Sequence, residues 1–230
     1  CESSAASDVY KRQEQFHLIE YLIQRLFLEG IEDIIISPGS RNAPIIEALV
    51  SFNKFTLHSI IDERSAAFFA LGCNIQTNKP SALICTSGSA VLNYAPGISE
   101  AFYQGRPLIV ISADRPESFV GQMAGQTIQQ QNALGDFVKS FQQLSSENDL
   151  SFNKRKIEDS IFLMNNELNG PIHLNIPLTE PFYGYSYQFN HQVKKISHYS
   201  YNSVHPSIVS ELNESWVSKS KILILCGCLD

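Results

Sequence analysis

Two arginines, one glutamate and two serine-glycine turns are the residues whose types and spacing could do chemistry. Arg41 lies in Ser-Pro-Gly-Ser-Arg-Asn at 37–42 and Arg115 in Ala-Asp-Arg-Pro at 113–116. Either planar guanidinium could clamp a carboxylate through paired hydrogen bonds. Free backbone amides around Gly39 or Gly88 could hold an anion where a loop opens a helix. Glu63, in Asp-Glu-Arg-Ser at 62–65, would have its pKa raised if sequestered at a domain or subunit boundary, and could then exchange a proton with a weakly basic ring nitrogen. Each also has an ordinary role: arginines at loop ends form structural ion pairs, glycines make turns, and an acid in a first helical turn stabilises the helix dipole. The amide-rich loop at 121–131 offers Gln126 as a donor to a substrate, although any exposed loop is similarly polar.

Other chemistries fail on their motifs. The segment at 38–41 has neither GxGxxG spacing nor a Walker lysine. Asp62, Asp114 and Glu117 make no convincing metal cluster, and no metal ligand is assigned. His58 sits inside an apolar strand and reads as a satisfied histidine near the core, Cys85 as a buried, inert thiol. No Ser-His-acid triad can be chosen.

The segments that feed these loops are short and apolar. Ile34-Ile35-Ile36, Thr56–Ile61, Ala82–Thr86 and Leu108–Ser112 read as strands, each running into one of the polar loops. Helices are predicted from Gln15 to Leu28, from about Asn42 to Phe52, through Ala66, Ala67, Ala70 and Leu71, and up to about Tyr103. Further on, Phe137–Phe141 reads as a short strand, Arg155–Leu168 as a helix and 171–177 as a last strand. Successive strand-to-loop units predict an α/β fold, an open, mainly parallel sheet with helices on both faces. Its ligand side lies beyond the carboxyl ends of the strands, which brings 37–42, 62–65, 86–89 and 113–116 together.

Composition bounds what surrounds this unit. The 230 residues exceed one domain of about 150. Residues 1–12 read as a disordered or non-native leader, 13–183 as the main domain, 184–205 as a linker and 206–230 as the truncated start of another α/β unit, with a helix at 206–217 and a strand at 221–226. Seventeen basic against 23 acidic residues, a net charge of -6, argue against nucleic acid as a partner. Five cysteines without CxxC spacing suit a reducing cytoplasm. No apolar run approaches the roughly 18 residues of a membrane span, and the opening is unlike a signal peptide, so no obligatory membrane contact is expected.

Four ordered motifs carry a resemblance: Ile-Ser-Pro-Gly-Ser-Arg-Asn-Ala-Pro at 36–44, Asp-Glu-Arg-Ser-Ala-Ala-Phe-Phe-Ala-Leu-Gly at 62–72, Thr-Ser-Gly-Ser-Ala at 86–90 and Ser-Ala-Asp-Arg-Pro at 112–116. Together they resemble the amino-terminal part of the 2-succinyl-5-enolpyruvyl-6-hydroxy-3-cyclohexene-1-carboxylate synthase family, the thiamine-diphosphate enzymes of menaquinone biosynthesis. The resemblance implies a pyrimidine-binding domain in which Glu63 contacts N1′ of the aminopyrimidine and is catalytic, Ser87 and Gly88 bind the cofactor, and Ser40, Arg41, Arg115 and Gln126 face the substrates 2-oxoglutarate and isochorismate. It further implies Mg2+ or Mn2+ beside the diphosphate, held by a carboxyl-terminal domain this chain lacks, and a homo-oligomer, dimer or tetramer, with the site shared between subunits. The 230-residue chain alone would then be inactive. Ala124-Gly125 before Gln126 departs from the commoner Ala-Asn-Gln, and Arg115-Pro116-Glu117 lacks a second proline. Another thiamine-diphosphate carboligase or decarboxylase, or a non-catalytic α/β binding module, remain the alternatives.

Overall fold

The β-branched runs form the interior of a six-stranded sheet. In the computed structural model the described residues are 2–145, 150–165, 169–180, 184–189, 193–194 and 210, with side chains described from residue 14 onward. The strands are β1 (Asp33–Ile36), β2 (Thr56–Ser59), β3 (Ser81–Cys85), β4 (Leu108–Asp114), β5 (Ser140–Gln143) and β6 (Ile172–Pro177). They are ordered β2-β1-β3-β4-β6-β5, and every pairing is parallel. The helices are α1 (Glu2–Leu28), α2 (Ala43–Phe52), α3 (Glu63–Thr77), α4 (Ala90–Asn93), α5 (Ala95–Tyr103) and α6 (Leu150–Met164).

Side-chain alternation along the strands divides the interior into two cores. Ile34, Ile36, Ile84, Ile109, Ile111, Ile172 and Leu174 pack under α1, α2 and α6. Ile35, Leu83, Cys85 and Val110 face Ala66, Ala67 and Ala70 of α3 and Ile98 and Ala101 of α5. Burial on both faces explains why these strands are continuous apolar runs. The expected open parallel sheet with helices on both faces is therefore the observed architecture.

Several boundaries differ from expectation. Helix α1 begins at Glu2, so residues 2–12, expected as a disordered or non-native leader, are helical. The predicted helix up to Tyr103 is interrupted at Tyr94, because Pro96 has no N–H with which to continue the ladder from α4. The strand expected at Phe137–Phe141 lies instead at Ser140–Gln143, with a 3-10 turn at Gly135–Phe137 before it. Helix α6 starts at Leu150 and ends at Met164, a turn earlier than expected at both ends.

Helix α6 is pinned to α1 by a buried ion cluster. Arg25 Nε donates to Glu158 Oε1 at 2.7 Å, Arg25 Nη1 to Glu29 at 2.8 Å and Tyr21 Oη to Glu158 at 2.8 Å. Burial alone would lower the Arg25 pKa, but bonds and charges from Glu158 and Glu29 outweigh it and hold the guanidinium above its usual range. Burial, then the Glu158 bond, pushes the Tyr21 phenol up.

The segment expected as a linker starts by packing on the domain. Tyr185 stacks on Phe16 with centroids 4.2 Å apart, Tyr187 Oη donates to the Pro44 carbonyl at 2.7 Å, and Phe189 lies edge-on to Phe52. The chain divides into two units at residues 196 and 197. The helix expected at 206–217, apart from Ser210, and the strand at 221–226 lie outside the described residues. Among the described residues no helix is long and apolar enough to cross a membrane.

Candidate active site

The strand order changes direction between β1, whose next strand β2 lies on one side, and β3 on the other. A crevice beyond the carboxyl ends at such a point is the usual ligand position in open α/β sheets. The loops after β1 and β3 meet there at very close range. A Cβ on Gly39 would stand 2.5 Å from the Thr86 Cβ, so glycine is the residue that lets the two loops touch.

Asp62 caps α3, accepting from the Ser65 N–H at 2.7 Å with extended backbone dihedrals. That cap sets Glu63 in the first turn, where its carboxylate also favours the helix dipole. Glu63 is half-buried, and its Oε2 stands 3.5 Å from Asn93 Nδ2, at the outer limit of a hydrogen bond. Beneath it lie Cys85 and Tyr94, both fully buried. Burial, then the charge of Glu63, pushes the Cys85 thiol up; burial first, with Cys85 and Glu63 adding to it, pushes the Tyr94 phenol up. Sequestration of Glu63 is only half achieved by the described residues. Ile61, two residues before Glu63, and Leu92, next to Asn93 in sequence, are 82% and 45% exposed, so apolar side chains stay uncovered at the start of α3 and in α4.

The two arginines come together as expected. The positive charge of Arg115 contributes, after burial, to lowering the Arg41 pKa. Arg41 is 5% exposed; it donates through Nη1 to the Leu178 carbonyl at 3.2 Å and pairs through Nη2 with Glu180 at 3.1 Å. Leu178 also donates its N–H to the Asp114 carbonyl at 3.0 Å, so one residue joins the loops of both arginines. Gln15 of α1 fixes this segment, exchanging two 3.1 Å hydrogen bonds with the Thr179 backbone. The structural ion pair foreseen for Arg41 is thus present, but its partner Glu180 is 67% exposed and can yield to an incoming carboxylate. Arg115 is half-buried, and its Nε is buried with no partner among the described residues. Ser40, in the Arg41 loop, is exposed.

Of the backbone amides around Gly39 and Gly88 expected to be able to hold an anion, those of the two glycines themselves are already bonded. Gly39 N–H donates to Asn42 Oδ1 at 2.9 Å and Gly88 N–H to Gln130 Oε1 at 2.7 Å. Ser87 Oγ donates to the Gln126 carbonyl at 2.9 Å. Gly88 has φ +86°, and a Cβ there would sit 3.1 Å from Gln126 backbone atoms, so the turn admits only glycine comfortably. Gln126 itself is exposed with φ +52°; the Gly88 turn holds its backbone while its side chain faces solvent.

Gln130 carries a role that sequence reasoning missed. Its Nε2 donates to Asn175 Oδ1 at 2.7 Å, and Asn175 Nδ2 donates to Asp114 Oδ2 and to Gln143 Oε1. Both acceptors fix the Asn175 amide, so Ser112 Oγ donates to Asn175 Oδ1 at 2.6 Å and accepts from His173 Nε2–H at 2.6 Å. His173 is consequently the Nε2–H tautomer, with a bare Nδ1 that has no partner among the described residues. Burial drives its pKa down to about 3 and keeps it neutral. Burial also raises the Asp114 carboxyl, against the bonds from Asn175 and the Arg115 N–H. This network runs from the Gly88 turn to the start of the Arg115 loop.

A domain with a carboxylate over an apolar floor at the switch point, faced by convergent guanidiniums, has comparable members among known proteins. Residues 16–137 match the family model described as thiamine pyrophosphate enzyme, N-terminal TPP binding domain, and the chain belongs to that family. It is 41% identical over 209 residues to the 2-succinyl-5-enolpyruvyl-6-hydroxy-3-cyclohexene-1-carboxylate synthase of Phocaeicola vulgatus, an alignment covering 90% of this chain and 38% of the relative. To the synthase of the same name from Cytophaga hutchinsonii it is 49% identical over 162 residues, covering 69% and 29%. To that of Flavobacterium psychrophilum it is 40% identical over 215 residues, covering 92% and 38%. The chain therefore spans well under half the length of these relatives.

Proposed function

We propose that the chain forms the aminopyrimidine side of the site in a 2-succinyl-5-enolpyruvyl-6-hydroxy-3-cyclohexene-1-carboxylate synthase, which decarboxylates 2-oxoglutarate and adds the remaining four-carbon unit to isochorismate. The observation that carries this reading is the convergence of the Arg41 and Arg115 loops, joined through Leu178, at the carboxyl ends of the strands, where the loop after β2 also presents Glu63. The similarity to synthases of that name supports it.

The residues present fit the cofactor. Glu63 offers a half-buried carboxylate at the start of α3, with the exposed apolar side chains of Ile61 and Leu92 close by in sequence to it and to its neighbour Asn93, suited to a flat ring with a basic nitrogen. When bound, thiamine diphosphate supplies the electron sink for loss of carbon dioxide. Glu63 holds and exchanges the proton at N1′. Ser87 and Gly88 wall the ring, their polar groups being committed to Gln126 and Gln130. Arg41 and Arg115 bind substrate carboxylates, Arg41 by exchanging Glu180 for the substrate. Ser40 and Gln126, both exposed at the mouth, add hydrogen bonds. The diphosphate and its Mg2+ or Mn2+ belong to residues outside these 230. A second protomer covers Ile61 and Leu92 in a dimer or tetramer, completing the sequestration of Glu63. A cytoplasmic setting suits the free thiols of Cys73 and Cys85.

The test uses a protein carrying this chain at its relatives' full length, loaded with thiamine diphosphate and Mg2+ and given 2-oxoglutarate and isochorismate. The succinylated cyclohexene carboxylate, seen by mass with release of carbon dioxide, is the expected product. Turnover of pyruvate in its place identifies another 2-oxoacid carboligase, and failure of the folded protein to load cofactor identifies a binding module. Replacing Glu63 by Gln should leave the fold intact and strongly reduce turnover; unchanged turnover would reject the role given to Glu63.

A further inference from the structure

At the opposite end of α3 from Glu63, three different metal-binding side chains converge from three elements. Asp33 opens β1, His58 lies on the edge strand β2, and Cys73 is in the third turn of α3; among the described residues their donor atoms form a cluster within 4.8 Å of one another. His58 Nε2 stands 2.7 Å from Asp33 Oδ1, with the two side chains 27% and 20% exposed. Phe69, one turn before Cys73 on α3, lies against the imidazole with centroids 5.0 Å apart and fixes its ring. Cys73 is a free, half-buried thiol.

We infer that Asp33, His58 and Cys73 form a binding site for a borderline-soft divalent cation, zinc in the first instance, with water in a fourth position. Carboxylate, imidazole and thiolate are each zinc ligands, and three protein ligands with one open position is an established zinc arrangement. A thiolate and an imidazole select against magnesium and calcium, which take oxygen. A tetrahedral ion with bonds of about 2.0 Å to nitrogen and oxygen requires those atoms about 3.3 Å apart, so the Asp33–His58 pair opens by a fraction of an ångström. The ion takes the place of the shared proton, which moves to Nδ1 or to solvent, and the Cys73 thiol proton leaves to solvent as the sulfur–metal bond forms. The product carries no net charge from ion, carboxylate and thiolate together. Burial, then the negative charge of Asp33, holds the metal-free thiol protonated, a cost that the cation removes. The bound ion ties the edge strand to α3, away from the crevice at the carboxyl ends of the strands.

The test alkylates the 230-residue chain with a maleimide, with and without Zn2+, and maps each cysteine by peptide mass. At a free Zn2+ concentration about ten times the dissociation constant, Cys73 should react about tenfold more slowly. That protection should vanish in Asp33→Asn and in His58→Ala, each checked for native circular dichroism. Co2+ in place of Zn2+ should give a thiolate-to-metal charge-transfer band that Cys73→Ser abolishes and Cys226→Ser retains. Unprotected Cys73, or a cobalt band that survives Cys73→Ser, would overturn the assignment.

Discussion

The amide nitrogen of Gly88 donates to the side chain of Gln130 at 2.7 Å, fastening the turn after β3 to a loop 42 residues further along the chain. Gln130 is 2% exposed and also binds the Ala113 carbonyl and Asn175. Replacing it by alanine leaves the Gly88 N–H buried without a partner, at a cost of about 1–3 kcal/mol. Urea unfolding should record that loss, and in a protein carrying this chain at its relatives' full length the turn after β3 should loosen and, on the proposed function, weaken cofactor retention. Gln130→Glu keeps the acceptor for Gly88 but loses both donations, so it should recover only part of the stability.

Gly39 and Thr86 give a second, steric test. Gly39→Ala drives its Cβ to within 2.5 Å of the Thr86 Cβ, an overpacking expected to cost about 1–3 kcal/mol. The clash is with the Thr86 Cβ, so Thr86→Ala should rescue poorly and Thr86→Gly well. Thermal melts of the single and double variants check both statements.

Removing the buried cation between α1 and α6 should be more costly. Arg25→Met leaves Glu158 with Tyr21 as its one remaining partner in the cluster, and breaking a buried pair on one side costs about 3–5 kcal/mol. Guanidinium unfolding of the variant measures it; a loss below about 1 kcal/mol, the range of exposed pairs, would show that the cluster is solvated.

His173 makes the domain sensitive to acid. Its folded pKa of about 3 lies below the ordinary 6.5, so the unfolded chain takes a proton that the folded chain refuses. Stability is complete above about pH 6.5 and falls by about 1.4 kcal/mol per pH unit as the pH drops toward 3. Asp114, raised by burial, works in the opposite sense just above 3.8. Between about pH 7 and pH 5, therefore, His173→Gln, which can keep a donor to Ser112, should flatten the urea midpoint against pH by a difference that grows toward one proton near pH 5 relative to the parent.

The α/β alternation was legible because strands buried on both faces are unbroken apolar runs, as in Ile34–Ile36 and Leu108–Ile111. Strand β5 was misplaced because it ends in Gln142 and Gln143; the latter is polar for the sake of Asn175, a partner 32 residues away that no local pattern announces. Arg41 and Arg115 were found by type and loop position, but Glu180 as the partner of Arg41 depends on the sheet placing the end of β6 beside the loop after β1. Gln130 looked like one more glutamine in a polar loop. The residues around His58 suggest an apolar strand near the core, whereas β2 is a mostly exposed edge strand, and the approach of His58 to Asp33 and Cys73 is a property of the sheet order. Tyr185 and Tyr187 lack periodicity because they pack singly onto Phe16 rather than forming a strand or helix.

Apart from those of Asp114 and Arg41, the ties in the crevice loops are uncharged: Gly39 to Asn42, Ser87 to Gln126, Gly88 to Gln130, Gln130 to Asn175. Screening by dissolved ions, which acts over about 8 Å at physiological ionic strength and weakens exposed charge pairs, leaves such ties intact. Arg41 and the exposed Glu180 feel it. Added salt consequently loosens the grip of Glu180 on Arg41 and weakens the pull on any anionic visitor, while the walls of the crevice keep their shape.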